Sequence, residues 1–109
     1  MGHLLLGKML WEILVPCEMN GRPARTRHHK GWDEKIRRIS GGLTVYKPGR
    51  GQWVNSEGTL HEDRVIPVRV CCTESELNKI LDITLEHYNQ EAIFAYLVSE
   101  RVIIKERDV

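Results

Sequence analysis

Val65-Ile66-Pro67-Val68-Arg69-Val70-Cys71-Cys72-Thr73-Glu74-Ser75-Glu76 is the stretch on which the fold turns. Ile66, Val68, Val70 and Cys72 recur at every second residue, the spacing of a strand with one apolar face. Thr73-Glu74-Ser75-Glu76 follows at once. There the Thr hydroxyl can accept from the Glu backbone N–H while the Glu carboxylate accepts from the Thr N–H, so a helix starts. Leu77, Ile80, Leu81, Thr84, Leu85 and Tyr88 then form one stripe at helical spacing, and Asn89 suits the left-handed helix end. Pro67 has no N–H for a ladder, so its position must face an edge or lie beyond the paired region.

The same reading extends outward. Lys8 to Pro16 is apolar on both faces, with Met9, Trp11, Ile13 and Val15 on one and Leu10, Glu12 and Leu14 on the other. Such a strand belongs in the middle of a sheet. A polar loop from Cys17 to Arg25 follows, broken by Asn20-Gly21 and Pro23. Thr26 offers an N-cap, Trp32, Ile36 and Ile39 mark a helical face shared by His29, and Gly41-Gly42 ends the helix. Leu43 to Lys47 alternates as a strand, Pro48 to Gly51 reads as a turn, and Gln52 to Val54 is a short strand that Thr59 to Glu62 can meet. Ala92 to Val98 is a further strand, with Arg101 to Lys105 as its bent continuation or hairpin partner.

Strand, helix, strand, strand, helix, strand is the split βαβ order of the ferredoxin-like α+β fold. Right-handed crossovers place both helices on one face of an antiparallel sheet. Residues 1–7 read as an N-terminal tail and 8–109 as a single domain. Trp11, Tyr46, Trp53, Phe94 and Tyr96 are more than two helices can cover, so the sheet's other face is expected to bury itself in a homodimer.

From Gly42 onward the chain resembles a family of small uncharacterised bacterial proteins, a domain of unknown function. Gly42-Leu43-Thr44-Val45, Gly51-Gln52-Trp53, Gly58, Glu62, Tyr88 and Gln90-Glu91-Ala92-Ile93 carry the likeness, over residues 42–95. It implies a ferredoxin-like fold and brings no activity.

Composition narrows the function classes without naming one. The 109 residues carry 16 Lys and Arg against 15 Asp and Glu, a net charge of +1. That balance hides an asymmetry, since residues 1–54 hold ten of the bases and only four of the acids. No apolar run is long enough to span a bilayer. Three cysteines cannot close a disulfide framework and fit a reduced, cytoplasmic setting.

Two sets of candidate residues emerge. Arg25, Arg27, His28 and Lys30, in a basic cluster that also holds Arg22, suit a small anionic ligand at a helix start. Glu12, a carboxylate within an apolar strand, together with His29, Gln52, Trp53, Glu62 and Glu91, suits a ligand cleft between sheet and loops. No His or Cys spacing matches a metal site, no cofactor fingerprint is present, and the stacking motif of RNA-binding split βαβ domains is missing. The expected function is a binding or interaction module that dimerises through its sheet. The alternative is a small enzyme of the dimeric α/β-barrel type, with Glu12, Glu91 and His29 as acid/base groups.

Overall fold

The computed structural model describes residues 2–4 and 7–108. In chain order these form β1 (Gly2–Leu4), β2 (Met9–Pro16), β3 (Glu18–Met19), β4 (Arg22–Pro23), α1 (Thr26–Ser40), β5 (Thr44–Val45), β6 (Gly49–Val54), β7 (Leu60–Cys72), α2 (Glu74–His87), β8 (Phe94–Ser99) and β9 (Ile103–Lys105). The central sheet is antiparallel and runs β5-β7-β2-β8, with β6 on the same side of β7 as β5. With β5 and β6 counted as one interrupted strand, this is the split βαβ arrangement expected from the sequence.

Alternation along the central strands divides the sheet's two faces. Ile13 and Val15 of β2 and Val68, Val70 and Cys72 of β7 are buried against Trp32 and Ile36 of α1 and Leu77, Ile80 and Tyr88 from α2 and its end. Trp32 Nε1 donates to Thr84 Oγ1 at 3.0 Å inside this core, joining the helices where an indole N–H would otherwise be buried unpaired. Cross-strand partners share a face, so Glu12, Arg69 and Tyr96 lie together on the side away from the helices, as do Leu14, Pro67 and Phe94.

The expected capping box is present: Glu76 N donates to Thr73 Oγ1, and Thr73 N donates to Glu76 Oε1. The backbone hydrogen bond from Thr73 holds the Glu76 carboxyl below its ordinary pKa. Asn89 takes the left-handed conformation at the end of α2, with φ of 51°. Gly41 does the same for α1 at φ of 82°, its N–H donating to Arg37 O.

Several local expectations give way to long-range pairing. Thr26 is the first residue of α1 and not its cap; Arg25 holds the cap position and provides no side-chain bond. Gly49-Arg50-Gly51, expected as a turn, is the start of β6, because Val65, Arg64 and Asp63 offer it partners. β7 runs unbroken through 13 residues where the sequence suggests two pieces. Pro67 sits inside this strand. Its carbonyl accepts from Tyr46 N, so its N–H-less side faces the same way, toward the break between β5 and β6.

The β6–β7 hairpin projects as an arm. The molecule is 55 Å long with a radius of gyration of 15.5 Å, against ~13 Å for a compact chain of this length. Ile103–Lys105 pairs with Gly2–Leu4 and not with β8. Gly2–Leu4 is therefore tied to the chain's other end.

Candidate functional site

Three surfaces hold the residues singled out by sequence. The first surrounds the start of α1. Asn20 and Gly21 both have positive φ (56° and 74°), the conformation of a two-residue hairpin turn, and so fold Glu18–Met19 onto Arg22–Pro23. Asn89 Nδ2 donates to Asn20 Oδ1 at 2.6 Å and ties this hairpin to the end of α2. Between hairpin and helices lies an open cleft of about 770 Å³. Arg22, Arg25, Arg27, His28 and His87 line it together with Met19 and Pro23, and no carboxylate does. Arg22, Arg25 and Arg27 are exposed and have no ion-pair partner among the described residues. Lys30, grouped with them by sequence, does not line the cleft.

The floor of the cleft is a clasp of histidines. The rings of His28 and His87 stack with centroids 3.9 Å apart. His28 Nε2 donates to His87 O at 2.7 Å, and His87 Nε2 donates to His28 O at 2.8 Å. With Nε2 committed as a donor, His87 Nδ1 accepts from Lys35 Nζ at 3.2 Å. Burial holds the His87 pKa below the ordinary value, against the hydrogen bond to the His28 carbonyl, which raises it; the charges of His28 and Lys35 add smaller lowering effects. His29 lies on the neighbouring face of α1, its Nδ1 2.6 Å from the hydroxyl of the buried Tyr88. Burial lowers the His29 pKa and raises that of Tyr88.

The second surface is the open face of the sheet. Arg69 Nε donates to Glu12 Oε1 at 3.0 Å, with 10% of the Glu12 side chain exposed. This hydrogen bond raises the Arg69 pKa. Arg69 also stands 5.2 Å from the Tyr46 ring centroid, in cation–π contact. The carboxylate that looked anomalous in β2 is thus answered by a cation from β7. Around the pair, Phe94 is 65% exposed, Tyr46 45% and Tyr96 40%.

The arm is the third surface. Gln52 Nε2 donates to Glu62 Oε1, and Trp53 Nε1 donates to Asp63 Oδ2 at 3.1 Å while its ring stacks on His61. Trp53 pairs with His61, eight positions along β7 from Arg69, which is about 26 Å at ordinary strand rise. Glu12 and Trp53 therefore do not share a pocket. Glu91 is exposed in the turn between α2 and β8. The six residues proposed for one cleft are accordingly spread over the arm, the open face, the helix layer and a loop. Of the three expected acid/base groups, Glu12 and His29 lie on opposite sides of the sheet and Glu91 is exposed in a turn.

Arg69 and His87 are the residues that sequence reading passes over. Arg69 was detectable as the one cation in the otherwise apolar stretch 65–72 of β7, matching the lone carboxylate of β2. His87 carried no such signal, because its partner His28 is 59 residues away. Burial pushes the Cys17 and Cys71 thiols up, and that of Cys72 to about 11, so none has the lowered pKa of an activated nucleophile. No group of three or more metal-ligating side chains occurs among the described residues. None of the described helices is long and apolar enough to cross a membrane.

Neither a protein-family model nor a curated protein sequence matches the chain. Solved structures do. A phage SAM lyase, in complex with S-methyl-5′-thioadenosine, superposes with a TM-score of 0.65 at 15% identity, covering 95% of this chain and 94% of the lyase. CutA from Synechococcus elongatus follows the fold with a TM-score of 0.63 at 6% identity, over 95% and 85% of the two chains. CutA1 from Oryza sativa gives 0.60 at 12% identity, over 93% and 83%. The chain has the CutA-like ferredoxin fold. The ferredoxin-like architecture implied by the resemblance over residues 42–95 is therefore present. The CutA-like fold is shared by an enzyme and by proteins not described as enzymes, so it assigns no chemistry by itself.

Proposed function

We propose that the chain is a self-associating binding module whose open sheet face is covered by further copies of itself, a dimer being the smallest closed assembly. One observation carries this reading: Phe94, Tyr96 and Tyr46 stand exposed around the Glu12–Arg69 pair on the face opposite the helices. Exposed apolar surface of this extent favours burial against a partner. The charges within it are already paired, so covering the face leaves no lone ion in a dry interface. A net charge of only +1 puts little repulsion between copies. The cleft beside α1 lies on the helix side and stays open in such an assembly.

The test is the mass in solution. Sedimentation equilibrium is expected to give a multiple of 12.7 kDa, and Phe94→Glu is expected to return the particle to that mass with its circular dichroism unchanged. A wild-type chain that stays at 12.7 kDa at high concentration, or a Phe94→Glu variant that remains assembled, overturns the proposal.

A further inference from the structure

We infer that the cleft between the β3–β4 hairpin and α1 binds a phosphate-bearing small molecule of nucleotide size. The inference deepens the binding half of the proposed function and does not depend on self-association.

Three arginines, Arg22, Arg25 and Arg27, line one concave surface formed by a hairpin and the helix it leads into. Two arginines elsewhere do have carboxylate partners, Arg38 in Glu34 and Arg69 in Glu12. The three at the cleft are unpaired among the described residues, and no Asp or Glu joins them on its lining. Gathering like charges without an internal counter-ion is unfavourable, and an anion from outside removes that penalty. Guanidinium suits phosphate in particular, because its planar fork can present two N–H groups to two oxygens. α1 adds to the same field, having neither a side-chain cap nor an acidic residue in its first turn.

Size and lining extend the class beyond a bare anion. A cleft of about 770 Å³ lies within the ordinary range for small-molecule sites and far exceeds one phosphate group. Met19 and Pro23 give it apolar wall, and the His28–His87 stack gives it aromatic surface. Both Nε2 donors of that stack are spent on backbone carbonyls, so the rings are held in place as surface. A ligand with phosphate at one end and a flat ring at the other uses both parts of the lining.

Titration of the full chain, followed by amide resonances and calorimetry, tests this with ADP, pyrophosphate, adenosine and a single-stranded oligonucleotide. ADP is expected to bind tightest and pyrophosphate more weakly, both shifting the Thr26 to His28 amides, while adenosine does not saturate. Arg25→Ala/Arg27→Ala is expected to weaken ADP binding on the order of tenfold or more, the value of losing charge-assisted bonds. Arg38→Ala, at a pair remote from the cleft lining, is expected to leave it unchanged. The inference is overturned if neither phosphate compound saturates by about 10 mM. It is equally overturned if adenosine matches ADP, if the double variant, still folded by circular dichroism, binds as the wild type, or if the oligonucleotide outcompetes ADP. Each result is read independently of the particle mass.

Discussion

The two helices of this molecule begin in opposite ways. α2 is closed by its own sequence: Thr73 and Glu76 satisfy each other's backbone N–H groups, and Glu74 and Glu76 place negative charge at the positive end of the helix. α1 starts at Thr26 behind an Arg25 that caps nothing, has no acid in its first turn, and faces a cleft lined by arginines. Both helices bury their stripes in the same core and are joined by Trp32 and Thr84. The difference therefore lies in their ends and not in their packing. An end that the chain closes itself serves stability; an end left open and surrounded by cations is available to a ligand.

The shared core sets the largest expected effect. Trp32 is 1% exposed and its N–H is satisfied within the core. Trp32→Ala should cost about 3–5 kcal/mol in denaturant unfolding, through lost contact and the cavity left behind. A cost under ~1 kcal/mol would show that the helices do not depend on one another as described.

The starts themselves can then be set against each other. Thr73→Ala removes a working cap and should destabilise by about 1 kcal/mol. Arg25→Asp does the reverse, supplying an N-cap acceptor and negative charge where α1 has neither, and should stabilise by roughly 0.5–1 kcal/mol. Denaturant midpoints at matched ionic strength measure both. Equal and opposite shifts would sharpen the comparison; destabilisation by Arg25→Asp would break it.

The smallest effect concerns pH. His29 and His87 both have folded-state pKa values below the ordinary 6.5, chiefly through burial. The unfolded chain therefore takes up protons more readily than the folded one. Stability is fully present above pH 6.5 and is lost as pH falls through the lowered folded values. His28 and Lys35 face His87, and Asp33 acts on His29 in the opposite sense. The melting temperature should fall between pH 7.5 and pH 5, and the fall should shrink in His87→Gln. Because α2's cap rests on Glu76, whose pKa is lowered, its contribution should be fully present above the ordinary value of 4.5 and be lost as pH falls from there through the lowered folded value.

How much was legible in the sequence follows the range of the interactions. The capping box at Thr73, the Trp32–Ile36–Ile39 stripe and the Gly41 helix end are encoded within a few residues, and each was readable there. Asn20-Gly21 carried a hairpin signal that looked like a simple loop break, since the strands it joins are two residues each. The break at Pro48 to Gly51 was overridden by the long strand beside it. The candidate cleft of Glu12, His29, Gln52, Trp53, Glu62 and Glu91 does not form as a unit, because Gln52, Trp53 and Glu62 find their partners across the β6–β7 hairpin, away from the other three.

The sequence alone determined the order of the central strands and the two helices, the apolar face of each, and the concentration of positive charge before and within α1. These properties depend on spacing and residue type over one or two turns. Tertiary structure decided that Glu12 meets Arg69, that His28 stacks on His87, and that the arginines share one hollow with no acid in it. Those outcomes depend on strand register and on the angle at which two helices cross the sheet. Register and crossing angle come from packing the whole core at once, and no local stretch of chain contains them.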